Sequence, residues 1–286
     1  MKERRWLAYA LVTTLFWGIW GALIEIPEKN GFPATLGYIA WAITMVPCAL
    51  VALSLVGWHL ERDRRSIVLG SLVGFLGAGG QLVLFLALRL GPAYMVFPIV
   101  SLYPVVTIAL SVSFLKERAS KKAWTGIALA LVAIVLLSYA PVETPVEGGS
   151  LWLIMAFVVF AAWGVQAYVM KFAQATMRAE SIFFYMMATG LVLAPCALWM
   201  TDFSRSINYG MGGPPLAMAI QVLNSIGALT LVYAVRYGKA IIVVPMTSLA
   251  PVITIVLSLI LYSVIPGPML VAGMIIACVA IYLMAE

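Results

Sequence analysis

Charged side chains are scarce in this sequence: 10% of its 286 residues are Asp, Glu, Lys or Arg, whereas 64% are hydrophobic. A soluble domain carries about 25% charged residues and about half apolar ones, so this composition excludes a soluble globular protein. The charges also fall in clusters, which leave repeated apolar stretches of about 20 residues, the length that crosses the hydrocarbon core of a bilayer. We therefore expect a helical protein embedded in the lipid bilayer.

Histidine and cysteine are nearly absent. The single histidine, His59, lies among charged residues, and neither an HExxH nor a GxSxG motif occurs. The cysteines Cys48, Cys196 and Cys278 fall within apolar stretches and form no CxxC pair, so they predict neither a disulfide nor a metal site. We expect a protein that is not an enzyme and that holds no cofactor and no metal.

Acidic residues are missing from the middle of every apolar stretch. Intramembrane carboxylates mark proton relays and cation sites, so the sequence lacks the obvious carrier of a proton-driven cation pump. Glu25, at the outer end of the first stretch, is the one marginal candidate for coupling transport to protons. The alternative is that Glu25 is simply an acidic residue of an outer loop.

Ten apolar stretches predict ten membrane spans, at about 6–24, 36–57, 66–88, 92–115, 122–139, 150–170, 181–200, 214–235, 240–262 and 266–284. If the N-terminus is cytoplasmic and the spans alternate, 14 of the 17 Lys and Arg residues fall on the inside. We therefore expect both termini in the cytoplasm and the protein in the bacterial cytoplasmic (inner) membrane. The net charge of +6 is then explained by topology, and no nucleic-acid partner is expected.

The chain repeats itself at an offset of 147 positions. Residues 87–111 align with residues 234–258 without a gap, and 14 of these 25 positions are identical. We therefore expect an all-α fold of ten transmembrane helices in two five-helix repeats, residues 1–140 and 150–286, joined by an extracytoplasmic linker at 141–149. Because five is odd, the second repeat must be inverted, as in many secondary transporters, whose sites lie near the midplane.

Three features resemble the drug/metabolite transporter superfamily, EamA type: the pair Trp17-Gly18, the segment from Pro98 to Arg118, and the doubled five-span plan. The resemblance covers essentially the whole chain. It implies efflux, and it implies that spans 1, 3, 4, 6, 8 and 9 line a central cavity. One departure concerns Glu117, which matches a glutamate position of the family; in the second half Ser263-Val264-Ile265 stands where the first half has Lys116-Glu117-Arg118.

The repeat and the helical spacing select candidate substrate-binding residues: Trp17, Trp20, Gln81, Ser101, Tyr103, Trp163, Gln166, Asn224 and Ser248. Tryptophan offers a flat apolar face and an N–H donor, and amides within a membrane need polar partners. The alternative for the tryptophans is helix packing or interface anchoring, which fits Trp6 and Trp58 at span ends. Amides such as Gln221 and Asn224 could instead tie helices together.

Four prolines are expected to interrupt helices and to act in gating: Pro98, Pro104, Pro245 and Pro251. Proline has no N–H, so Pro104 and Pro251 would free the carbonyls of Val100 and Thr247, and such groups need protein or a water-filled cavity around them. The alternative is that the prolines kink their helices only for packing.

These observations favour a secondary transporter that moves a small polar, neutral or zwitterionic, amino-acid-like metabolite by alternating access. Two alternatives stay open: a multidrug or organic-cation exporter coupled to protons through Glu25, and a non-transporting membrane scaffold. We expect a monomer or a weak homodimer. The small-residue stripe Gly126-Ala130-Ala133 and its copy Gly273-Ala277-Ala280 would serve peripheral packing or, as the second choice, a dimer contact.

Overall fold

The computed structural model describes residues 5–91, 93–138, 150–262 and 267–285, and over these residues it is helical, with no strand. The predicted linker at 141–149 lies outside the described residues. The α-helices are α1 (Arg5–Leu23), α2 (Glu25–Lys29), α3 (Ala34–Leu55), α4 (Arg64–Gly74), α5 (Gly80–Leu90), α6 (Ala93–Ser101), α7 (Pro104–Phe114), α8 (Lys121–Leu137), α9 (Leu151–Ala173), α10 (Ala179–Trp199), α11 (Pro214–Tyr237), α12 (Ala240–Thr247), α13 (Pro251–Tyr262) and α14 (Pro268–Met284). A π-helical turn, Phe75–Gly79, joins α4 to α5.

Seven helical segments of the described chain are long and apolar enough to cross a membrane: Arg5–Lys29, Ala34–Leu55, Arg64–Leu90, Leu151–Ala173, Ala179–Trp199, Pro214–Tyr237 and Ala240–Ser258. They correspond to seven of the ten predicted spans. The segments Ile99–Phe114 and Pro268–Met284 are shorter apolar helices, and the remaining predicted span falls in α8. The structure is thus an all-α membrane protein, and the count of ten spans stays a prediction.

Polar residues begin helices where the chain returns from charged segments. The side chain of Asp63 accepts the N–H of Ser66 at 3.0 Å and starts α4, and Ser120 accepts the N–H of Ala123 at 3.1 Å and starts α8. Each bond satisfies one of the N–H groups that a first helical turn leaves without a partner. The bond from Ser66 also lowers the pKa of Asp63, because it favours the ionised carboxylate.

The predicted fourth and ninth spans are interrupted, each just before its second proline. Helix α6 ends at Ser101 and α7 begins at Pro104, while α12 ends at Thr247 and α13 begins at Pro251. The breaks differ from the expectation in position, since α6 continues through position 98 and α12 through Pro245. The side chain of Pro98 lies outside the described part of the structure.

The carbonyls next to the breaks are used, contrary to the expectation that they would be free. Tyr103 donates its N–H to Val100 at 3.0 Å, and Ala250 donates to Thr247 at 3.3 Å. Such i+3 bonds tighten the last turn of a helix and satisfy groups that the proline leaves unpaired. The carbonyls of Val100 and Thr247 therefore take part in backbone bonds at the breaks.

The helices pack in pairs that cross between the two halves of the sequence. Helix α1 packs on α11 and α13, and α9 packs on α5 and α7; α3 pairs with α10, and α8 pairs with α14. Within the last pair, Ala130, Ala133, Ala277 and Ala280 are fully buried. A Cβ at Gly126 would lie 2.8 Å from Met284, so glycine permits the close approach. Both small-residue stripes thus face each other within one chain.

The bundle has two ends that differ in their contacts. At the end that we call the open end, Asn208 donates to the carbonyl of Asn30 at 3.0 Å and joins the 200–213 segment to the segment that follows α2. At the opposite end, which we call the closed end, Ala240 donates to Glu117 at 3.1 Å. A cavity lies between these two ends.

Candidate functional site

A cavity of about 1210 Å³ lies between the helices and reaches the surface at the open end. Its walls come from α1, from the continuous α4–α5 helix, and from α6, α9, α11, α12 and α13. These elements fall in the six spans that the family resemblance implied. Helix α3 adds a further wall through Tyr38 and Trp41, which sequence reasoning did not foresee.

The structure brings all nine sequence-selected side chains to this cavity: Trp17, Trp20, Gln81, Ser101, Tyr103, Trp163, Gln166, Asn224 and Ser248. Of the four prolines, Pro251 also lines the cavity, whereas Pro104 and Pro245 are not among its lining residues. The structure shows that these nine side chains and Pro251 line the cavity. That they bind a substrate is our proposal.

Tryptophan side chains join α1 to α11 along one wall. Trp17 donates its indole N–H to the carbonyl of Asn224 at 3.3 Å, and Trp20 donates to Oε1 of Gln221 at 3.1 Å. Asn224 also donates from Nδ2 to the same Oε1 at 3.3 Å. Because an indole can only donate, each tryptophan must meet an oxygen, and these bonds fix both rings against the cavity.

The opposite wall repeats this arrangement in part. Trp163 donates its indole N–H to the carbonyl of Gly77 at 3.2 Å, and Gly77 is the position equivalent to Asn224 at the offset of 147. The ring of Tyr103 meets Trp163 edge-on, with centroids 6.0 Å apart. The hydroxyls of Tyr103 and Ser248 are hydrogen-bonded at 2.9 Å, which links the breaks of the two interrupted spans.

Among the described residues that line the cavity, the charged ones all lie at its mouth: Glu25, Glu28, Arg89, Asp202 and Arg205. Glu25 forms an ion pair with Lys29 at 2.7 Å, and its side chain is 65% exposed. Asp202 lies 3.2 Å from Arg205, and hydrogen bonds from Ser204 lower the pKa of its carboxyl. Deeper in the cavity the polar groups are indoles, amides and hydroxyls, which suit an uncharged or zwitterionic molecule.

No group of three His, Cys, Asp or Glu side chains that could hold a metal ion occurs in the described ranges. The cavity lining consists of apolar and aromatic surfaces with a few polar atoms. Such surfaces are typical of sites that bind small organic molecules.

The closed end is fastened by a buried carboxylate that sequence reasoning did not assign. The two oxygens of Glu117 accept the N–H groups of Ala240 and Ile241, each at 3.1 Å, and so cap α12. Lys171 lies 3.9 Å from Glu117 and donates to the carbonyls of Val235 and Gly238 at 2.9 and 2.6 Å. In the sequence, Glu117 differed from its surroundings only by lacking a counterpart in the second repeat, which does not indicate a cap on α12.

Comparison with known proteins gives a family. The sequence profile of the EamA-like transporter family matches this chain twice, over residues 4–139 and 150–285. An uncharacterised protein of Methanocaldococcus jannaschii is 30% identical over 129 residues, which are 45% of this chain and 92% of that protein.

Two other relatives extend over more of the chain. Protein RarD of Streptomyces exfoliatus is 25% identical over 257 residues, 87% of this chain and 76% of that protein. Protein LicB of Haemophilus influenzae is 22% identical over 205 residues, 70% of each chain. A solved crystal structure superposes with a TM-score of 0.74 over 97% of this chain and 96% of that one, at 18% identity, a likeness that shows the fold alone.

Proposed function

Since the chain belongs to the EamA-like transporter family, whose members are membrane transporters and not enzymes, we propose that it carries a small polar, neutral or zwitterionic, amino-acid-like metabolite. The family membership and the integral membrane location agree with the resemblance noted in the sequence. The substrate class, the direction and the mechanism are the parts that we propose.

One observation carries the substrate class: the deep lining of the cavity holds amides, hydroxyls and indoles, while charged side chains lie at its mouth. A multivalent ion would find no counter-charge there, and an unpaired ion in a site shielded from water costs several kcal/mol. A lipophilic cation would have aromatic faces alone, worth about 0.5–2 kcal/mol. A molecule with no net charge carries a smaller cost of this kind and does not depend on aromatic faces for its binding.

We propose alternating access between two conformations related by the repeat. Equivalent contacts occur in both halves and support this: Thr254 donates to the carbonyl of Gly18, and Thr107 donates to that of Gly164, both at 2.9 Å. Positions 254 and 107 differ by the offset of 147, and 164 and 18 by 146. Equivalent interfaces favour two conformations of similar free energy, with the cavity open at one end or at the other.

The two five-span halves, residues 1–140 and 150–286, are accordingly inverted in our proposal, with both termini in the cytoplasm of a bacterial inner membrane. The open end then faces outward, the closed end faces the cytoplasm, and release outward makes the protein an exporter. No acidic side chain lines the deep cavity in the described residues, which favours facilitated diffusion or exchange.

The direct test is a metabolite transport screen in proteoliposomes, with and without an imposed pH gradient. Uptake of neutral or zwitterionic metabolites independent of the gradient supports the proposal. A strong preference for lipophilic cations would support the alternative exporter, and no transport together with a single conformation would support a scaffold.

A further inference from the structure

One buried amide in the wall of the cavity has its oxygen fully used and its nitrogen unused. Gln221 on α11 is only 4% exposed, and its Oε1 accepts the N–H of Trp20 at 3.1 Å and Nδ2 of Asn224 at 3.3 Å. The indole N–H can only donate, so it must face the oxygen of the amide. This requirement fixes the orientation of the Gln221 side chain.

The nitrogen of the amide therefore points away from Trp20. Among the described residues, no hydrogen bond uses Nε2 of Gln221. The neighbouring residue on α3 is Gly37, and a Cβ added at Gly37 would be 3.8 Å from this nitrogen. Both Gln221 and Gly37 line the cavity. The wall thus presents an N–H₂ donor, held in place, to whatever occupies the cavity.

The repeat does not duplicate this donor. At the offset of 147 the position equivalent to Gln221 is Gly74, which has no side chain, and at the offset of 146 the position equivalent to Trp20 is Gln166. Because two hydrogen bonds fix the Gln221 amide and Gly74 offers no equivalent group, a ligand with one acceptor group is favoured in one orientation.

We propose that Gln221 determines substrate specificity by donating from Nε2 to a carboxylate oxygen of the transported molecule. Trp20 and Asn224 act as positioning residues, because they hold the oxygen of the amide and so aim its nitrogen. This inference rests on the proposed function and names the part of a zwitterionic substrate that the α11 wall recognises.

The test compares leucine with isoamylamine, which lacks the carboxylate but keeps the rest of the molecule, by their KM values for uptake into proteoliposomes. In Gln221→Glu, an oxygen still accepts from Trp20 and Asn224, but the outward donor becomes an acceptor. We expect the KM for leucine to rise at least about 10-fold, the loss of one hydrogen bond to a charged group, and the KM for isoamylamine to fall.

A second variant and a control separate the outcomes. Gln221→Met removes the donor without adding charge and should raise the KM for leucine alone; it replaces Gln221→Glu if that variant does not fold. Met218→Leu, on an exposed face of α11, should change neither value. If the ratio of the KM values for leucine and isoamylamine is unchanged in the folded variants, this inference is wrong, whereas the proposed transport function is unaffected. Wild-type protein that takes up neither compound overturns the proposed substrate class and this inference with it.

Discussion

The Oε1 atom of Glu117 accepts the N–H of Ala240 across 3.1 Å, a bond that joins the first half of the sequence to the second at the closed end. The position equivalent to Glu117 in the other repeat is Val264, which has no carboxylate. The carboxylate that caps α12 at the closed end thus has no counterpart in the sequence of the other repeat. This asymmetry gives a reason for a resting conformation whose cavity reaches the surface at only one end.

Replacing Glu117 by Gln should favour opening of the closed end. The amide keeps one acceptor oxygen for α12 but loses the second bond and the charge facing Lys171, so we expect the open population at this end to rise about 10-fold. A cysteine placed at Thr247, which is fully buried, measures this opening by its rate of labelling from the closed-end side. Arg64→Gln, an exposed change at the same end, is the control, and equal labelling in both variants would contradict the role of Glu117.

Removing the indole N–H from either cavity tryptophan should slow transport. Trp17→Phe and Trp163→Phe keep an aromatic face but remove the indole bonds to the carbonyls of Asn224 and Gly77, each a loss of about 1 kcal/mol. We expect transport rates to fall several-fold in both, since the positions are equivalent. Trp58→Phe is the control because Trp58 is 61% exposed. The same decrease in all three variants would mean that the cavity tryptophans act only as membrane anchors.

Neutralising Glu25 should leave transport unchanged. Its carboxylate is paired with Lys29 at the mouth of the cavity and is far more exposed than a group that holds a proton in a membrane. Uptake by Glu25→Gln in proteoliposomes, with and without a pH gradient, should match the wild type within a factor of about two. Uphill accumulation that requires the gradient and disappears in Glu25→Gln would instead identify Glu25 as the coupling residue.

A side chain at Gly126 should destabilise the contact between α8 and α14. A Cβ at this position would lie 2.8 Å from Met284, so Gly126→Val forces the helices apart at a cost of about 1–3 kcal/mol. We expect a lower thermal unfolding temperature and an unchanged oligomeric state. Val132→Ala on the exposed face of α8 is the control. A change from dimer to monomer without loss of stability would show that the stripe is a subunit contact.

The membrane class follows from the composition of the sequence, and the family was recognised by a resemblance in Trp17-Gly18, the segment from Pro98 to Arg118 and the doubled five-span plan. Trp17, Gln81 and Asn224 were selected as polar or aromatic side chains at repeated or mid-span positions, and the fold brings them to one cavity. An offset that aligns two segments also aligns their contacts, which is why Thr107 and Thr254 make equivalent bonds.

Other features depended on distances that no local pattern contains. The breaks follow Ser101 and Thr247 instead of falling at the first prolines, and i+3 bonds such as that from Tyr103 to Val100 close the last turn at each break. Trp6 suited a membrane interface by its place at a span end, yet it is buried against Gly238. The roles of Glu117 and Gln221 appear only once α12 and Trp20 are placed beside them.

Paired spin labels measure most directly whether the cavity is exposed alternately at the two ends, because they report the distance across each end. One pair, at Arg118 and Tyr237, reports the closed end, and a second, at Glu28 and Ser206, reports the open end. In proteoliposomes, alternating access should give two distance populations at each end. Glu117→Gln should lengthen the first distance and shorten the second, and this measurement needs no known substrate. A single population at both ends, unchanged by Glu117→Gln and by every metabolite tested, would contradict alternating access.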